Sequence, residues 1–80
     1  MTTEQIQSFI DKNPVTTNSV RFDFKDQTVK YGYFDGFPDN QELKKTNQWR
    51  IVENTNAIDY RESNDLKLTT VIAGHELINL

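Results

Sequence analysis

The sequence predicts a mainly β protein: about five strands forming one small, strongly bent barrel behind an N-terminal α-helix. Three observations carry that expectation. Residues 19–25, SVRFDFK, alternate apolar and polar side chains without a break, the mark of a half-buried strand. The next β-rich run, TVKYGYFDGF at 28–37, holds Gly32 and Gly36 and has apolar groups on both faces. A strand of that kind typically bends sharply in a small barrel. Finally, the chain has only 80 residues. So many strands in so short a chain cannot make two well-covered sheets. Bending one sheet onto itself covers the core and removes most exposed edges.

The helix is expected over residues 2–12. Thr3 is placed to cap it, and Glu4 sits near the positive end of the helix dipole. Ile6, Phe9 and Ile10 recur at helical spacing and give one apolar stripe. Asn13-Pro14 ends it, because the residue before proline is driven out of the α region. Residues 15–19 then connect to the first strand. In that strand Val20, Phe22 and Phe24 face one side, while Arg21, Asp23 and Lys25 face the other. Asp26-Gln27 reads as a two-residue hairpin turn. In the second strand Val29, Tyr31 and Tyr33 share one face; Lys30, Gly32, Phe34 and Gly36 share the opposite one.

Residues 38–47 are polar and read as a loop with one helical turn around Glu42–Lys45. Trp49–Val52 is a short strand. Residues 53–65 read either as a long loop or as a short strand flanked by turns, with Ile58 and Tyr60 as the sizeable apolar groups. LKLTTVI at 66–72 is a β-rich strand. Ala73-Gly74-His75 turns the chain, and residues 76–80 close the sheet. No repeat or linker divides the sequence, so residues 1–80 are expected to form one domain.

Composition narrows the chemistry. The chain has no cysteine and one histidine, which excludes disulfides and a thiolate- or histidine-rich metal site. Hydrophobic residues make up only 35% of it, so the aromatic side chains must supply much of the core. No run of ~18 apolar residues is present, and the N-terminus lacks the pattern of a signal peptide. The expectation is a cytoplasmic protein without a membrane partner. A net charge of −3 argues against nucleic-acid binding through bulk charge, though not against a local basic face. With no nucleophile–base pair, phosphate loop or metal cluster in view, the chain is expected to be non-enzymatic, without cofactor or metal. A modest core also favours homo-oligomerisation.

Several residues carry a functional reading beside a plainer one. Tyr31 and Tyr33, near Arg21, Lys25 and Lys30, offer a stacking, cationic surface; packing a barrel face is the competing assignment. Trp49, after the polar loop with Lys44 and Lys45, suits a partner-binding anchor, or else a lid on the core. His75 beside Glu76 could act as a pH-sensitive contact, or simply occupy a surface turn. Asp59, Glu62 and Asp65 offer oxygen ligands, but not at calcium-loop spacing, and read as a solvated acidic loop.

One stretch is more specific. Val20 to Phe37 resembles, without a gap, the first motif of the Sm-like proteins. There, alternating apolar residues lead through a Lys-Asp-Gly-type turn to a strand with a central glycine and a Gly-Phe-Asp corner. Lys25-Asp26, Gly32, Phe34 and Gly36-Phe37 carry the likeness. Ile72–Ile78 is similar to the second motif, an apolar residue, a tight Arg-Gly turn and a closing strand, with Ala73 where the family has arginine. Pro38 stands where the family's aspartate follows the phenylalanine, and Asp39-Asn40 come next. The resemblance implies an Sm-like barrel; SH3-like barrels share its architecture. It also implies a ring assembled through edge strands, with residues 66–72 and the segment around Trp49 as candidate edges. The ring would bind single-stranded RNA, with Phe37, Asp39, Asn40 and His75 nearest the family's binding positions. A second registration adds Tyr60 and Arg61. The alternative is a protein-interaction module using Tyr31, Tyr33 and Trp49 on a protein partner.

Overall fold

A computed structural model describes residues 1–13 and 19–80. The element order is α1 (Thr3–Lys12), β1 (Val20–Phe24), β2 (Val29–Tyr33), α2 (Asn40–Lys44), β3 (Gln48–Glu53), α3 (Ala57–Ser63), β4 (Thr70–Ala73) and β5 (Leu77–Asn79). Pro14 of the expected helix stop and residues 15–18 of the expected connector lie outside the described residues. The five strands form one antiparallel sheet in the order β4-β3-β2-β1-β5.

The expected helix forms, with its cap one residue earlier. Thr2, not Thr3, accepts from the Gln5 amide, and the Thr2 amide donates in return to Gln5 Oε1, a reciprocal capping box. The β1–β2 turn has three residues rather than two. Gln27 N–H donates to the Phe24 carbonyl, Phe24 N–H to the Thr28 carbonyl, and Gln27 takes φ 71°. That is a type I turn followed by a left-handed residue, the usual three-residue hairpin. Asp26 steadies it by accepting the Thr28 amide proton at 2.9 Å.

The largest departure is in residues 53–68. Neither a strand nor an open loop forms there. A 3-10 turn at Asn54–Asn56 runs into α3, and a second 3-10 turn takes Leu66–Leu68. Ala57 and Tyr60 sit one helical turn apart and face the sheet, while Asn64 ends α3 in the left-handed region. Leu66-Lys67-Leu68 alternates as a strand would, yet Asp65 accepts the Lys67 amide proton and winds it into a turn. The last β-rich segment is thereby shortened to β4.

The sheet is not closed into a barrel, contrary to expectation. β4 and β5 are consecutive in the chain but lie at opposite ends of the strand order, and no ladder joins them among the described residues. A 3-10 turn at Gly74–Glu76 separates them. The carbonyls of Gly74, which opens that turn, and of Leu77, which follows it, accept hydrogen bonds from the Met1 ammonium at 2.9 and 2.8 Å. The result is a small mixed α/β fold on an open five-stranded sheet. β3 is an inner strand, so the segment around Trp49 is not a sheet edge; β4 is one.

Strand alternation divides the core between the two sides of the sheet. On one side Phe22, Phe24, Phe34, Trp49, Ile51, Ile72 and Leu77 pack with Ile6 of α1. On the other, Tyr33, Phe37 and Val52 pack with Tyr60 of α3. Fully burying such side chains contributes roughly 1.5–3 kcal/mol each, so both helices are held mainly by their apolar faces. No helix among the described residues is long and apolar enough to cross a membrane.

Candidate functional site

β2 and β3 stay paired only briefly. Gly32 opposes Glu53, Tyr33 opposes Val52, and beyond that point the strands part. Phe34, Asp35 and Gly36 continue from β2 on one side of the gap, with Arg50 and Trp49 of β3 on the other. α1 supplies Gln7 and Ile10 and its C-cap Asn13, α2 supplies Asn40, Gln41 and Lys44, and α3 supplies Arg61. Together they line a groove of about 590 Å³, within the range of small-molecule and cofactor sites.

Its floor is aromatic. Phe34 meets Phe22, Trp49 and Phe9 edge to face, with ring centroids 5.4, 6.2 and 6.4 Å apart. The indole N–H of Trp49 donates to Asn47 Oδ1 at 2.9 Å, which leaves the ring no free polar tip. At the rim the Arg61 guanidinium lies over the Tyr33 ring, 5.8 Å from its centroid, a cation–π arrangement.

The cations are not equivalent. Arg50 grips Asp39 with both arms, Nη2 to Oδ2 at 2.6 Å and Nε to Oδ1 at 3.2 Å. Its third nitrogen donates to the Thr69 hydroxyl at 2.7 Å. Arg50 is thus a clasp tying the start of α2 to β3 and to the residue before β4. The paired guanidinium holds the Asp39 carboxyl below the usual carboxylate range, and Asp39 in turn raises Arg50. Lys44 and Arg61 have no carboxylate partner among the described residues and remain available to a ligand.

The clasp has a pH signature. Because the Asp39 carboxyl is lowered on folding, its stabilisation is present at neutral pH and is lost as pH falls through its folded value. Asp39→Asn is therefore expected to lower stability at pH 7 but to lose less than the parent as pH falls below the ordinary carboxylate range. Urea midpoints followed from neutral to acid pH check it. Parallel curves for the two chains would contradict the assignment.

The structure brings some sequence-nominated residues together and leaves others apart. Tyr33, Asn40, Trp49 and Arg61 all line the groove. Asp39 is committed to Arg50. Phe37 and Tyr60 are buried against each other, with centroids 5.8 Å apart, and burial pushes the Tyr60 hydroxyl above its ordinary pKa. Tyr31 is 50% exposed on the open part of the sheet, whereas Tyr33 is 7% exposed under α3. His75 is exposed in the turn before β5, 3.4 Å from Glu76, and does not line the groove. Asp59, Glu62 and Asp65 form no group that could hold a metal ion among the described residues. Sequence reasoning missed Gln7 and Asn13, whose only signal is their place beside the apolar stripe of α1. Comparison with protein-family models, with curated proteins and with solved structures finds no match.

Proposed function

We propose that the protein is a non-enzymatic binding module that takes a short single strand of RNA into the groove between α1, α2 and α3. The observation that carries this is the pairing of an aromatic floor with two uncommitted cations, Lys44 and Arg61, on separate helices. Bases stack on aromatic and guanidinium planes, and phosphates seek the charges. The Sm-like resemblance supports the same reading, because Asn40, nearest that family's binding loop, lines the groove and Arg61 of the second registration does too.

A labelled RNA of about ten nucleotides, titrated by fluorescence anisotropy, tests it. Binding is expected to weaken with salt at a slope of about −1.4, as two phosphate contacts require on a single strand. Lys44→Ala and Arg61→Ala should each reduce that slope by about half. Trp49 emission, read from the groove floor, should change in parallel. No anisotropy change at low ionic strength would sink the reading.

A further inference from the structure

α1 packs on one side of the sheet and α3 on part of the other. Tyr33 and Val52 lie under α3, but Val29 and Tyr31, on the same side by strand alternation, are left exposed. Arg21 pairs across the ladder with Tyr31, and Asp23 with Val29, so all four side chains stand on this open face. Ile78, exposed next to the buried Leu77, extends the patch onto β5. None of these five residues lines the groove.

Apolar side chains left exposed on neighbouring strands mark an interaction surface, and the charges among them say what fits it. Arg21 Nε donates to Asp23 Oδ1 at 2.9 Å, so the face holds one cation, one anion and no net charge. A nucleic acid or an anionic membrane would need surplus cations there, and a cationic partner would need surplus carboxylates. The whole chain carries −3, so two copies repel each other except where opposite charges are matched. A face with one charge of each sign can match itself.

We propose that this face joins two copies of the chain, sheet on sheet, in a reversible homodimer. A two-fold axis lying in the interface and crossing β1 at Phe22 runs the two β1 strands antiparallel. It sets Arg21 of each copy over the partner's Asp23, and Tyr31 over the partner's Val29. This is an isologous contact in the manner of aligned sheet packing. α3 is seated at the Tyr33 end of β2 and falls beyond the overlap in each copy. An axis along β1 instead would set Arg21 on the partner's Arg21 and Asp23 on the partner's Asp23, so the charges choose the orientation. Each copy gives up its own Arg21–Asp23 pair, which is exposed and worth little in water.

Sedimentation velocity on the full chain, from low micromolar to about 1 mM, provides the test. A monomer–dimer equilibrium with Kd of about 10–100 µM is expected, as suits a small interface. Tyr31→Ala should weaken it at least about tenfold. Arg21→Asp makes the pair wholly acidic and Asp23→Arg makes it wholly basic. Each alone should weaken the dimer at least about tenfold, with far-UV circular dichroism unchanged. Mixed in equal amounts, these two charge variants should dimerise with each other at the parental concentration, because every acidic contact then meets a basic one. A chain that stays monomeric to about 1 mM would overturn the proposal. So would a dimer that the three substitutions leave intact, or a mixture of the charge variants that stays monomeric.

Discussion

Gly32→Ala is expected to destabilise the fold by about 4–5 kcal/mol, the upper end for one substitution. The glycine is not there for its dihedral freedom, since no glycine in the described structure has a positive φ. It is there because β3 passes too close for a side chain. A Cβ at position 32 would overlap the Val52 carbonyl oxygen and sit 3.0 Å from both the Val52 carbonyl carbon and the Glu53 Cα. All three are backbone atoms, so none can rotate aside. The two strands would have to separate, and the Gly32–Glu53 and Tyr33–Val52 pairs are the whole of their ladder. Losing them parts β3-β4 from β2-β1-β5 and exposes Val52, which is fully buried. A domain of this size has a stability of only about 4–12 kcal/mol. A penalty of about 4–5 kcal/mol consumes all of that at its lower end and a third or more at its upper end. Far-UV circular dichroism and urea unfolding would show it, and a variant that melts beside the parent would refute the close approach.

Phe34→Ala should cost about 3–5 kcal/mol, the range for truncating a buried aromatic. Phe34 is the ring on which Phe9, Phe22 and Trp49 converge, joining α1, β1 and β3. Its removal also breaches the floor of the groove, so water gains a path to the core. Trp49 emission should therefore shift to the red before any unfolding begins. Phe34→Leu keeps most of the volume and should lose clearly less. Urea midpoints for the two variants check this, and equal midpoints would mean the edge-to-face contacts contribute little.

Much of the fold was legible because local periodicity matched what tertiary packing required. α1 and β1 have one apolar face each, and the structure uses it. α3 was hidden because its apolar content is misleading: Ile58 is 70% exposed, while Ala57 and Tyr60 do the packing. The stretch 66–68 deceived in the opposite sense, since a side-chain acceptor at Asp65 overrode an alternating pattern. The open sheet was not legible, because the order that sets β4 and β5 at opposite ends is fixed by long-range pairing and not by local pattern.

The site was less legible than the fold. Tyr31 and Tyr33 look alike in sequence, but α3 covers one and not the other. The stacking of Arg61 on Tyr33 joins segments far apart in the chain, and no local spacing announces it. Asp39 fits a binding loop by position, yet Arg50 claims it from the neighbouring strand. What sequence could supply was the chemical character of the polar segments flanking β3; their convergence required the fold.

The short β2–β3 ladder also bears on how the molecule breathes. Four residue pairs join β1 to β2 and four join β3 to β4, against two across this seam and two between β1 and the edge strand β5. Opening below the threshold of global unfolding should begin where the fewest bonds resist it. The seam lies at the head of the groove, so the same fluctuation that exposes backbone amides to exchange would widen the entrance. Entry to the groove would then run along a seam of the sheet that only two residue pairs hold shut.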